Sequence, residues 1–301
     1  MFEYDKCFIK YISFFKEIVG YIENILYFCG KKDMLFTIVT INYNNNEGLY
    51  HTIESVIGQS FHDFEFVVID GGSTDGSVEV IKEFQNMISY WISEKDSGIY
   101  NAMNKGVAKA HGDYCIFMNS GDCFYDKNVL EQVAENMTNE DVIVGKVAID
   151  DKNTIISPPP LDGELTLYHL YSGAIPHQGS FIRKELLQRY PYDESLKISS
   201  DWKFFIQTLI LDNCSVKFLD LFVARYDLDG VSTSNPMLMR AEKDEILARL
   251  LPPRIIADYK KMKQSECLTQ LLTPSLKKYY TIDKVVFKLA KLLLTFKQIM
   301  A

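Results

Sequence analysis

Three short apolar runs, each closing on an amide or an acid, constrain this chain more than any other feature. LFTIVTI (35–41) runs into Asn42, and FEFVVID (64–70) ends on Asp70. DYCIFMN (113–119) ends on Asn119, with Ser120, Gly121 and Asp122 behind it. Runs this short, and apolar on successive residues, read as strands buried on both faces. Helix-like stretches lie between and after them at roughly 48–59, 76–87, 98–110 and 127–137, with strand-like SYWIS at 89–93 and DVIVGKV at 141–147. Strands alternating with helices give βαβ units and a mainly parallel sheet flanked by helices. Right-handed crossovers set the strand C-termini along one edge. The polar loops 42–47, 70–75 and 119–122 then converge where open α/β sheets bind their ligands.

Charge narrows the choice of ligand. The net charge is −8, but Lys and Arg outnumber acids 12 to 6 over residues 241–301, which leaves −14 on the first 240. So acidic a body does not draw in nucleic acid, and an anionic ligand there needs local cations or a metal. The six cysteines are scattered with no C-x-x-C pair, which argues against a zinc site and fits a reducing cytoplasm. The sequence shows neither an apolar run of 18 residues nor a signal-peptide pattern. Three segments emerge: an aromatic amphipathic stretch at 1–33, a main domain at 34–240 with a stiff Pro158-Pro159-Pro160 loop, and a helical basic extension at 241–301.

Several residues carry chemistry at this edge, each with a bland reading beside it. Asp70 and Asp96 follow strands and can meet a base or ribose; turn formation and surface charge are the plain alternatives. The loop GGSTDGS lacks the Lys and glycine spacing of a P-loop. Asp122 can hold Mg2+ or Mn2+, which take one or two carboxylates and let substrate phosphates complete the shell; otherwise it caps a helix. Asn104 and Lys105 lie on the helix after Asp96, where Lys105 meets phosphate or solvent. His177 and Gln178 can bond hydroxyls or phosphate oxygens. Asp201 opens an amphipathic helix, as the helix dipole favours, and a carboxylate so placed in a cleft can serve as a general base. Trp202 beside it is a sugar platform or core.

The ordered set TIVTINYNN, VVIDGGSTDGS, EKDSGIYNAMNKG, YCIFMNSGD, HQGSFIRKELL, YDESLKISSDWKFF and YDLDGVSTS resembles glycosyltransferase family 2 over about residues 35–235. It is most similar to bacterial members that build surface polysaccharides. The resemblance implies a GT-A, Rossmann-like fold, an inverting mechanism and a divalent cation, Mn2+ or Mg2+. It also implies a nucleotide-sugar donor, usually a UDP-sugar, and a saccharide or lipid-linked saccharide acceptor. By motif match, Thr40, Asn42, Tyr43, Asn44, Asp70 and Asp96 line the nucleotide-sugar pocket, with Asn104, Lys105, Asn119 and Ser120. His177, Gln178 and Trp202 lie near acceptor or diphosphate. Asp122 inherits the metal and Asp201 the role of catalytic base. Asn119 and Gly121 stand where relatives carry acids, and Met103 where many carry Arg.

Alternatives remain at this point. A catalytically inactive nucleotide-sugar-binding subunit would tolerate the changes at 119 and 121. A sugar nucleotidyltransferase would want a glycine-rich basic loop after its first strand, where this chain has NYNNNEG. The segment 284–300 sets Lys284, Lys288 and Lys291 on one face of an apolar helix. Such a helix lies on the inner face of an anionic membrane, or packs on its own domain or on a second subunit in a homo-oligomer.

Overall fold

The structure is a computed structural model that describes residues 34–149, 154–156, 164–226 and 235–265. The aromatic stretch 1–33, the triple-proline loop, YDLDGVSTS beyond Tyr226 and the segment 284–300 lie outside the described residues. The chain divides into two compact units, 1–244 and 245–301.

In the first unit β1 (Phe36–Asn42), β2 (Phe64–Asp70), β3 (Tyr90–Ser93) and β4 (Tyr114–Phe117) alternate with α1 (Asn46–Ile57), α2 (Ser77–Glu83) and α3 (Ile99–Lys109). β5 (Cys123–Phe124), α4 (Val129–Asn136), β6 (Val142–Ala148) and β7 (Ile155–Ile156) follow. Next come α5 (Leu167–Ser172), a 3-10 turn (His177–Gly179), β8 (Ser180–Arg183), α6 (Lys184–Arg189) and α7 (Ser200–Phe205). α7 runs into a π-helical turn (Ile206–Leu211), and then come β9 (Val216–Arg225) and α8 (Pro236–Leu250). Within the second unit residues 253–265 form a further helix, α9.

The nine strands make one sheet in the order β3-β2-β1-β4-β8-β6-β9-β5, with β7 on β6. Its first half, β3-β2-β1-β4, is parallel. The second half is mixed, because β8 runs against both β4 and β6, and β5 against β9. β1 is buried along its whole length, and the alternation of strand side chains explains how. Phe36 and Ile38 join Leu49, Ile53 and Val56 of α1 and Ile81 of α2 in one core. Val39 points the other way, against α3, where Gly106 leaves room: a Cβ there would come within 2.3 Å of a Val39 methyl. Helices thus cover both faces of the parallel half. The connections out of β1 and β4 lead in opposite directions along the sheet, so a crevice opens between their C-terminal ends.

Candidate functional site

Register brings the first set of polar residues together. Asn42 pairs with Asp70, and Asp70 with Ser93, so the tips of β1, β2 and β3 form one row. Asp70 is fully buried, and its carboxylate accepts from Asn42 Nδ2 (2.8 Å), Ser93 Oγ (2.6 Å), Ser73 Oγ (2.6 Å), Ser73 N (2.9 Å) and Gly72 N (3.2 Å). Burial pushes its pKa up, but these hydrogen bonds outweigh it and hold the carboxyl below its ordinary value. Asp70 is therefore a clasp under the site, with both oxygens engaged inside the protein.

The surface above the row is formed by Tyr43 and Asp96. Tyr43 is 67% exposed. A Cβ on Gly71 would stand 2.6 Å from Asp96 Oδ2 and 3.2 Å from the Tyr43 ring. Gly71 therefore floors a slot with an aromatic ring on one side and a carboxylate on the other. Asp96 Oδ1 accepts from Gly98 N at 3.0 Å. Asn44, at φ 50°, donates its N–H to Ser73 Oγ and accepts from Thr74 N through its side chain, which ties the β1 and β2 loops together.

A second group gathers at the tip of β4. Asn119 Nδ2 lies 3.1 Å from His177 Nε2, and His177 Nδ1 lies 3.3 Å from Asp201 Oδ2. The hydroxyl of Tyr100, in the first turn of α3, donates to Asp201 Oδ1 at 3.0 Å. Three elements far apart in sequence thus meet at Asp201, which sits in the first turn of α7 and keeps 21% side-chain exposure. Burial raises the pKa of Asp201, but the hydrogen bonds from His177 and Tyr100 and a backbone N–H at Trp202 outweigh it, so the carboxylate form is favoured. Burial and the adjacent carboxylate drive the Tyr100 and Tyr192 phenols well above their usual range. Asp122 is buried in the same loop as Asn119, with Thr52 Oγ1 donating to its carbonyl at 2.7 Å.

Other predicted residues are engaged in holding the protein together. Thr40 Oγ1 donates to Met118 O (2.7 Å) and ties β1 to β4. Asn104 bonds both the N–H and the carbonyl of Tyr192, and also Glu194. Lys105 is paired with Glu94 at 2.6 Å. Ser120 N donates to Ile41 O, and Gln178 is buried. Trp202 is buried too; its indole N–H donates to Leu170 O (2.8 Å) and Gly173 O (3.2 Å), and Lys243 Nζ sits over its ring. Its ring belongs to the core. The sequence reading missed Tyr100, whose place near the start of an amphipathic helix marks it as core, and Gly71, whose role shows only through its neighbours.

This arrangement, two polar clusters along the C-terminal edge of a parallel half-sheet, coincides with a known sequence profile. The Glycosyl transferase family 2 profile matches residues 37–196, from β1 through the loop before α7. The chain belongs to glycosyltransferase family 2. An uncharacterised glycosyltransferase of Mycobacterium tuberculosis is 29% identical over 204 residues, covering 65% of this chain and 76% of the relative. A PGL/p-HBAD biosynthesis glycosyltransferase of Mycobacterium bovis is 28% identical, covering 65% and 78%. Among solved structures, S. aureus TarS superposes with a TM-score of 0.59 at 22% identity over 75% of this chain, which spans 43% of TarS. A TarS fragment solved with UDP-GlcNAc gives 0.59 at 20% identity, over 71% of this chain and 66% of the fragment. A Pyrobaculum calidifontis mannosyltransferase solved with GDP-Man and Mn2+ gives 0.54 at 13%, over 74% of this chain and 70% of that one. These neighbours share the GT-A fold with this family 2 member. No helix among the described residues is long and apolar enough to cross a membrane.

Proposed function

We propose that this family 2 enzyme moves a sugar from a nucleotide-sugar donor, a UDP-sugar, to a saccharide or lipid-linked saccharide in cell-surface polysaccharide synthesis, inverting the anomeric centre. The observation that carries the reading is Asp201. Its carboxylate is held ionised between two donors, one imidazole away from the β4 loop that bears Asn119 and Asp122. The slot of Tyr43, Gly71 and Asp96 offers a ring and an acceptor to a nucleobase. Asp201 accepts the proton of an acceptor hydroxyl. The oxygen attacks the anomeric carbon from the face opposite the diphosphate, and the bond to the diphosphate breaks with its electron pair. The donors bound by TarS and by the mannosyltransferase support the substrate class.

The residues present fit a divalent cation. Asp122 is a hard oxygen donor at the strand tip, and the buried Oδ1 of Asn119 has no hydrogen-bond partner among the described residues. Mn2+ and Mg2+ take few protein carboxylates and share the rest of their shell with substrate phosphates. Asp122 is the protein ligand in this reading. When bound, such a cation offsets the charge that grows on the departing diphosphate. The basic segment 284–300 suits an acceptor carried on the inner face of the cytoplasmic membrane.

The test is donor hydrolysis across a panel of nucleotide sugars, with Mn2+ and with chelator. One donor class should turn over, and chelator should stop it. Asp201→Asn should lower turnover by about 10²–10⁴-fold with UDP affinity retained. Full turnover in that variant would remove Asp201 from the role of base.

A further inference from the structure

Asp201 does not stand alone, and its partners form an ordered chain. Asn119 presents a carboxamide nitrogen to His177 Nε2 at 3.1 Å. With the Asn119 amide in this orientation its N–H donates to Nε2, and the ring proton then sits on Nδ1. That Nδ1 faces Asp201 Oδ2, while Tyr100 Oη donates to the other oxygen at 3.0 Å. The His177 side chain is 17% exposed, so few other orientations are open to it. A carboxylate at position 119 would have no proton to donate at neutral pH; it would accept from Nε2–H and favour a cationic ring caught between two acids.

We propose that Asn119, His177 and Tyr100 are positioning residues for Asp201: the Asn119 amide fixes His177 in its Nδ1–H tautomer, and His177 and Tyr100 each donate to one oxygen of the carboxylate. The proposal rests on the reading of Asp201 as base. It gives His177 a task other than contact with acceptor or diphosphate. The imidazole is a strut that sets the direction of the carboxylate and takes no proton from the acceptor. Tyr192 completes the surroundings; its buried hydroxyl has no hydrogen-bond partner among the described residues, and its ring lies 5.5 Å from that of Tyr100. Tyr100, His177 and Tyr192 are thus the titratable groups that face Asp201, from α3, the 3-10 turn and the loop before α7.

Two readouts test this, one of them independent of turnover. In the first, 15N NMR of the full-length protein labelled at its five histidines, with the His177 signal assigned by its loss in His177→Asn, should show the Nδ1–H tautomer at neutral pH. Asn119→Asp should convert that signal to the doubly protonated form. An Nε2–H tautomer in the wild-type protein, or a signal unchanged in Asn119→Asp, overturns the proposal. In the second, the pH profile of kcat/KM is followed. Removing one donor should raise the acidic limb in Tyr100→Phe and in His177→Asn, whereas the cationic ring in Asn119→Asp should lower it. kcat should fall at least about tenfold, with donor KM changed less than about threefold. A loss of rate with the limb unmoved makes these residues merely structural and overturns the proposal. If Asp201→Asn keeps its turnover, the reading of the base fails instead, and the tautomer experiment still reports on the hydrogen-bonded chain itself.

Discussion

Gly71 has no side chain to come between Tyr43 and Asp96, and this makes it a probe of the slot they form. Gly71→Ala would set a methyl 2.6 Å from Asp96 Oδ2 and 3.2 Å from Tyr43. Both groups lie at the surface end of the site, so they can swing aside without disturbing the core. Stability should change by no more than about 0.5 kcal/mol. UDP affinity, measured by calorimetry, should weaken about tenfold; unchanged affinity would remove the slot from nucleotide binding. The neighbouring Asp70 shows how far single residues can be read from sequence. Its position at a strand tip was legible, because a carboxylate ending an apolar run stands out. Its destination was not. The donors from Asn42 and Ser93 come from 28 and 23 residues away, and hydropathy reports burial of a face but neither register nor rotamer. His177 and Asp201 were each legible as candidates, but their contact, 24 residues apart, was not.

Helix α8 supports the loop before α7 through Glu242. Glu242 is buried, and its carboxylate accepts from three successive backbone N–H groups, those of Lys197 (2.6 Å), Ile198 (3.0 Å) and Ser199 (2.9 Å). Ser199 is the N-cap of α7 and makes no side-chain cap bond, so Glu242 supplies from a distance the acceptors that a local cap would give. Asp201 lies two residues further on. Glu242→Ala should cost roughly 2–4 kcal/mol in urea unfolding, because it strands buried donors. Glu242→Gln, which keeps one acceptor oxygen, should cost less. An alanine variant as stable as wild type would show that the loop holds itself. The element was legible as helix from residue 241 on, and β1 and β2 were legible as strands to within a residue because they are buried on both faces. The apolar segment after His177 and Gln178 was legible as the start of β8, whereas β5 and the ten-residue β9 escaped notice. β9 is largely half-buried with one exposed position, so its apolar pattern is diluted, and the partners of short strands are set by tertiary packing.

At the scale of the molecule, carboxylates with depressed pKa values set the response to acid. Glu65, Asp70, Asp75 and Asp201 are lowered because hydrogen bonds outweigh burial, and Asp193 is held at about 2, chiefly by its hydrogen bond to Lys203. A lowered folded-state pKa gives stability that is present above the unfolded value, about 4, and lost as pH falls through the folded one. Asp63, raised by burial, acts in the opposite sense. Urea midpoints should therefore be flat from pH 7 to about 5 and fall steeply between about pH 4 and 2. A midpoint that holds to pH 3 would show that these contacts add nothing to stability. Asp70→Asn should be less stable at pH 7 and lose less on acidification. The Asn42–Asp70–Ser93 row lies underneath the slot, with Asn42 and Asp70 buried, so the upper layer can vary without the lower. Substitutions at Tyr43 or Asp96 can change the preferred donor while melting behaviour stays put. A change at Asp70 cannot be sorted this way: three strand ends share that one anchor, and loosening it would cost recognition and folding together.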